Sequence, residues 1–112
     1  MPSLVAFDLE TTGLDPKRDA IIEIGAIRFY EKRVEDEFSV LVNPGRSIPG
    51  FITQLTGISN EMVRNAPNIH DVIPDFEAFV GDAPVIGHNV RFDLGFVQRY
   101  DILPYNDVID TY

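Results

Sequence analysis

Three stretches near the N-terminus, residues 4–10, 20–30 and 34–42, read as strands, and the links between them are too short to hold a crossover helix. Strands joined so closely run antiparallel, as a meander, and this limits the possible folds more than any other feature. The first stretch is mostly apolar from Leu4 to Leu9, broken near its end by Asp8 and Glu10. The second alternates Ile22, Ile24 and Ala26 with Glu23, Gly25 and Ile27, the two-residue period of a half-buried strand. Residues 14–19 and Glu31-Lys32-Arg33 supply the turns. Asn43-Pro44-Gly45 ends the meander, and Pro49-Gly50 punctuates the loop beyond.

The period then lengthens. Short helices are expected around residues 52–55 and 60–64, followed by a longer one in which Ile69, Val72, Ile73, Phe76, Phe79 and Val80 form one stripe. Pro74 falls within it. With Asp71 as the N-cap, Pro74 sits in the first turn and costs little; a start at Asn68 places it inside and implies a kink. Residues 84–87 read as a short buried strand, 92–100 as a helix and 107–110 as a final strand. The fold class is α/β: a mixed five-stranded sheet flanked by helices, with a ligand site where carboxylates gather at strand ends. At 112 residues the chain is one domain, and its eight Phe and four Tyr can fill a core.

Composition excludes several classes. Without cysteine there is neither a disulfide framework nor a thiolate metal site, which fits a reducing, cytoplasmic setting. No apolar run approaches the length of a membrane span, and the N-terminus lacks the pattern of a signal peptide. Nine Lys and Arg against eighteen Asp and Glu leave a net charge of −9. Binding to nucleic acid through counterion release needs a basic surface, so the intrinsic grip on a polyanion is expected to be weak and to be supplemented by a partner.

Asp8 and Glu10 carry the chemistry. Side chains of a strand alternate, so the two carboxylates project from one side with their Cα atoms roughly 6–7 Å apart. Two anions so close repel, and burying either unpaired is costly. A divalent cation relieves both costs, and hard oxygen ligands favour Mg²⁺ or Mn²⁺ over zinc. A strand ending in solvated acids shows the same spacing. The following Thr11-Thr12-Gly13 is turn chemistry, with Gly13 free to take a positive φ and admit a ligand close to the backbone.

The longer string Asp8-Leu9-Glu10-Thr11-Thr12-Gly13-Leu14 resembles the first motif of the DnaQ-like, or DEDD, 3′→5′ exonucleases. Three further stretches fit that family in order: Leu55-Thr56-Gly57-Ile58, the run from Ala66-Pro67 through Phe76-Glu77-Ala78-Phe79, and Gly87-His88-Asn89-Val90-Arg91-Phe92-Asp93-Leu94. The resemblance spans residues 4–111, and its first and last motifs are the specific ones. It implies an RNase H-like fold and a hydrolase of phosphodiester bonds at DNA 3′ ends, in proofreading or repair. An exoribonuclease of the same fold, or a non-catalytic module binding metal or nucleic acid, are the other readings.

By the same resemblance Asp8, Glu10 and Asp93 match three of four acids that hold two Mg²⁺ or Mn²⁺ ions. In the residue reading Asp93 lies in the first turn of a helix, where the macrodipole favours its ionised form and where acids often sit without further role. Thr11, Thr12 and Gly13 are candidate donors to the terminal nucleotide. Asn89 belongs to the same substrate-binding set, and beside it His88 can brace the backbone; neither His88 nor His70 is assigned catalysis. Leu14 and Ile58 are candidate apolar contacts for bases, and Phe92 could stack on one, ordinary core being the alternative for each. Lys17, Arg18, Arg46 and Arg91 are within reach of phosphate or merely solvated. The implied partners are single-stranded nucleic acid 3′ ends and a polymerase, a helicase or a further domain of the same chain.

The family's last motif places a His or Tyr base and a fourth Asp on a helix after the final strand. Here Asp110 follows Asp93 too closely, and on a strand, to stand in for that acid. Residues 1–112 are therefore expected to form an exonuclease domain lacking the C-terminal helix that carries the last motif. Weak metal binding, slow hydrolysis, a bare apolar sheet face and marginal stability are expected with it.

Overall fold

The computed structural model describes residues 3–87, 90–102 and 106–110, without the side chains of residues 90–92 and 110. The elements run β1 (Leu4–Thr11), β2 (Ile21–Tyr30), β3 (Arg33–Leu41), α1 (Gly50–Thr56), α2 (Asn60–Val63), α3 (Ile69–Val80), β4 (Val85–Gly87), α4 (Val90–Arg99) and β5 (Val108–Asp110). They form one sheet in the order β3-β2-β1-β4-β5. The meander pairs antiparallel, as its short links require, whereas β4 and β5 join parallel to β1 through helical crossovers. The mixed five-stranded sheet flanked by helices is the expected α/β architecture.

Alternation along β1 divides the sheet. Val5, Phe7 and Leu9 are buried, while Asp8 is exposed and Glu10 half-buried. Opposite Leu9 and Phe7 on β2 lie Ile24 and Ala26, which in turn face Val40 and Phe38 of β3, so these residues share one face. Against that face α3 sets Val72, Phe76 and Val80, and α4 adds Phe96 and Val97. Phe76, fully buried, packs tilted against Phe7 and Phe38 with ring centroids 6.0 and 5.7 Å away. At the end of α3, Arg28 donates to the Phe79 and Val80 carbonyls, satisfying acceptors that a helix terminus leaves open.

Two local details depart from the sequence reading. A register shift between Glu10 and Thr11 puts Thr11 opposite Ile21 rather than Ile22. Ile21 and Ile24 consequently share the main core, whereas Ile22 joins Ile48, Ile52, Ile58 and Val63 in a second cluster. The plain alternation expected for β2 thus fails at its first residues. In α3 the N-cap is Asn68, whose side chain accepts from the Asp71 N–H at 3.1 Å. Of the two starts considered for this helix, the one that encloses Pro74 is realised, and the missing proline N–H leaves the His70 carbonyl without its donor.

Candidate active site

The candidate carboxylates meet at the C-terminal end of β1. Asp8 and Glu10 project from the sheet face opposite the main core, as strand alternation demands, and pair across β2 with Gly25 and Glu23. Asp93 comes from the first turn of α4 and is only 6% exposed. Its pKa is raised to about 7, first by burial, then by the charge of Asp8, then by that of Glu10. Glu10 is raised too, by burial, then Asp8, then Glu23. Asp93 thus senses both strand acids, and Glu10 senses Asp8. The helix dipole expected to favour ionised Asp93 contributes about 0.3–1 kcal/mol. Burial and two carboxylates outweigh it, since each pKa unit corresponds to about 1.4 kcal/mol.

This concentration of negative charge fits a hard divalent cation. The donors are carboxylate oxygens, and among the described residues none of the three forms an ion pair with Lys or Arg. Among those residues, however, no three His, Cys, Asp or Glu groups gather tightly enough to form a ready coordination cluster. The arrangement is an open electrostatic trap: Asp8 exposed on the strand, Asp93 buried on the helix. Beside it the uncovered sheet face forms a shallow groove of about 730 Å³, lined by Asp8 with Ala6, Gly25, Ile27, Ser39 and Ile86.

The turn after Glu10 is tied internally. Thr11 donates to the Gly13 carbonyl at 2.6 Å, and Thr12 donates to Asp19 Oδ1 while accepting from the Ala20 N–H. The Thr12 N–H goes to the Ala20 carbonyl. Those groups, read from sequence as nucleotide donors, are engaged in holding the loop. Gly13 is needed for space rather than for a positive φ: a Cβ there would lie 2.5–2.8 Å from the Asp19 carboxylate. Leu14, 84% exposed, stands out beside the turn. Ile58 is 3% exposed and packs in the second core cluster, so its side chain offers no surface to a base. His88 and Asn89 lie outside the described residues, as do the side chains of Arg91 and Phe92.

Several residues escaped the sequence reading. Glu23 faces Glu10 directly, although its place on the polar side of β2 was visible in the alternation. Asp19 organises the turn through Thr12 and the Asp15 N–H, and Arg99 on α4 donates to the Pro16 and Asp19 carbonyls at 3.2 and 2.6 Å. Gly95 lets α4 approach this loop; a Cβ there would meet Pro16 at 2.9 Å. These are long-range contacts for which no local pattern exists.

Comparison with known proteins places this geometry. The pattern of the RNase_T exonuclease family matches residues 5–112. Among curated relatives, the DNA polymerase III PolC-type of Caldanaerobacter subterraneus subsp. tengcongensis is 43% identical over 96% of this chain. The DNA polymerase III subunit epsilon of Aquifex aeolicus is 42% identical over 88% of it. The chain spans 8% of the former's length and 48% of the latter's. Among solved structures, exonuclease X in complex with 5′ overhanging duplex DNA superposes with a TM-score of 0.72 and 31% identity, covering 83% of this chain and 52% of that one. Acids gathered at the end of β1, on a sheet of this order, accord with these likenesses: the chain belongs to the RNase_T exonucleases, a divalent-metal-dependent family of this fold.

Proposed function

We propose that the chain provides the catalytic core of a 3′→5′ exonuclease that hydrolyses phosphodiester bonds at DNA 3′ ends. The observation that carries this reading is the convergence of Asp8, Glu10 and Asp93, with the pKa of Asp93 raised to about 7 by burial and by the charges of Asp8 and Glu10. Asp8, Glu10 and Asp93 would hold Mg²⁺ or Mn²⁺, two ions in a complete site. Bound there, the ions supply Lewis acidity that activates water and steadies the leaving 3′-oxygen. The chain's own residues do the rest. Strand β1 fixes Asp8 and Glu10 on one face, α4 brings Asp93 to them, and burial keeps competing water from Asp93. Leu14 presents an exposed apolar surface suited to the terminal base, with Asn89 and Phe92 as further candidates for the nucleotide.

Since PolC-type polymerases and an epsilon subunit are among the relatives, proofreading beside a polymerase is the proposed setting, and single-stranded 3′ ends the substrate. A non-catalytic module that binds metal or nucleic acid is the second reading, favoured by the open spacing of the carboxylates. A single-stranded oligodeoxynucleotide labelled at its 5′ end separates the two. With Mn²⁺, the proposed activity slowly yields a ladder of products shortened from the 3′ end, and Asp8→Asn lowers it by about 10²–10⁴-fold. Binding without shortening would favour the module. A ribo-oligonucleotide shortened in preference to its deoxy counterpart would point to the exoribonuclease.

A further inference from the structure

A second groove runs between the β1–β2 loop and α4. It encloses about 610 Å³ and is lined by Asp15, Pro16, Lys17, Gly95, Gln98 and Arg99. Its floor is the contact of Gly95 with Pro16, too close to admit a side chain at position 95. Two cations stand in its walls. Lys17 and Arg99 are exposed, and among the described residues neither has an ion-pair partner. The one acid of the lining, Asp15, is compensated within the loop: it accepts from the Lys17 N–H at 2.9 Å and lies 3.7 Å from Arg18.

The loop also draws in cations from distant parts of the chain. Arg99 donates to the Pro16 and Asp19 carbonyls, and Arg46, from the link after β3, donates to the Arg18 carbonyl. Lys17, Arg18, Arg46 and Arg99, four of the nine basic residues, are thus collected around one loop of a chain whose net charge is −9. Set against the loop's own acids, Asp15 and Asp19, these four leave a local excess of positive charge, an attraction for anions that the total charge would not suggest.

We propose that this groove holds the sugar-phosphate backbone of the nucleic acid strand whose 3′ end lies at Asp8, Glu10 and Asp93. The proposal rests on the exonuclease reading above. Asp93 and Arg99 share α4, about 9 Å apart along its axis and about 120° apart around it, a separation that a strand of a few nucleotides wrapping the helix can cover. Lys17 and Arg99 would meet phosphate oxygens, and the Gln98 amide can donate to phosphate or sugar. Such contacts carry no sequence preference, as suits an enzyme that removes every nucleotide in turn.

The test uses a thymidine dinucleotide, which fills the carboxylate site only, and a thymidine octanucleotide, which reaches the groove. Both carry a fluorophore and are titrated in Ca²⁺ across a salt series. The unaltered chain should bind the octanucleotide more tightly. Lys17→Glu and Gln98→Glu should remove that gain, the former flattening the slope of log affinity against log salt by about one, while the dinucleotide is held as before. Lys32→Glu makes the same change in net charge as Lys17→Glu on the exposed β2–β3 turn, about 30 Å away along β2, and should leave both affinities alone. No gain from length, equal weakening of dinucleotide and octanucleotide, or an equal effect of Lys32→Glu would each overturn the groove. Failure of the octanucleotide to be shortened in Mn²⁺ sinks the hydrolytic reading instead, and a length gain that Lys17→Glu removes would still stand.

Discussion

The two faces of this sheet are built from the same strands and do opposite work. On one, Val5, Phe7 and Leu9 of β1 lie under Phe76, Val80 and Phe96 and are withdrawn from water. On the other, Ala6, Asp8 and Glu10 look outward with Gly25 and Ile27, and Ile27 remains 40% exposed. Moving one residue along β1 exchanges a core contact for a carboxylate. The packed face holds the backbone in register, and that register sets two repelling acids side by side against their electrostatic preference. On the proposed function stability and chemistry are spatially separated, and substitutions on the two faces should have different signatures.

The largest effect is expected at Asp8. Asp8→Asn removes a metal ligand in the proposed mechanism, and activity on single-stranded ends should fall by about 10²–10⁴-fold, the range of one catalytic group. Because Asp8 is exposed and surrounded by like charge, melting temperature should hold or rise slightly. Paramagnetic broadening by Mn²⁺ should fade in the same variant. Loss of activity together with loss of fold would erase the proposed division between the faces.

Phe76→Ala is the mirror case. Its ring is fully buried between Phe7 and Phe38, so truncation should cost about 3–5 kcal/mol in denaturant unfolding. That is a large part of the about 5–15 kcal/mol usual for a domain. Whatever remains folded should still bind Mn²⁺ at Asp8. A cost below about 1 kcal/mol would show that α3 is not what anchors the packed face.

How much of this division was visible in sequence depended on range. Alternation in β1 was enough to put Asp8 and Glu10 on one face, and short links were enough to make the first strands antiparallel. The register shift at Thr11 was not visible, because it depends on how two strands meet; the alternation that grouped Ile22 with Ile24 and Ala26 therefore fails at Ile22. Asn68 and Asp71 both had the chemistry of a cap, and packing of Val72 and Phe76 chose the start that encloses Pro74. For Asp93 the local rule, a dipole favouring charge, pointed the wrong way. Its burial against the end of β1 is tertiary and outweighs the dipole. Gly13 looked like a position chosen for its freedom in φ, yet it is explained by the Asp19 carboxylate beside it, and Gly95, which carried no local signal, by the arrival of Pro16.

Asp93 lies where the two faces join, and its titration should be measurable in the metal-free chain. Its folded pKa, about 7, stands above the ordinary 3.8. Between those values the folded chain retains a proton that the unfolded chain has lost, so stability falls as pH rises through this window and levels off above it. Asp93→Asn is neutral at every pH. It should match the parent near pH 4 and exceed it by about 1–3 kcal/mol near pH 8. Mn²⁺ should narrow that difference, because metal binds the ionised parent and stabilises it by mass action. A stability difference independent of pH would mean that Asp93 is not held protonated by its surroundings.

The smallest effect is expected on the open face, at Ile27. Threonine keeps the branched Cβ that suits a strand, so Ile27→Thr changes mainly the apolar surface presented to water. At 40% exposure that change should alter stability by no more than about 0.5 kcal/mol. Ile24→Thr, on the packed face at 1% exposure, buries a hydroxyl and should cost several times more. The two positions share β2 and one substitution, so strand propensity cancels and the difference reports the face. Ile27 also borders the open groove beside Asp8. If Ile27→Thr proved as costly as Ile24→Thr, the outward face would have to be covered in solution, and Asp8 and Glu10 would then lie in a closed cleft rather than an open one.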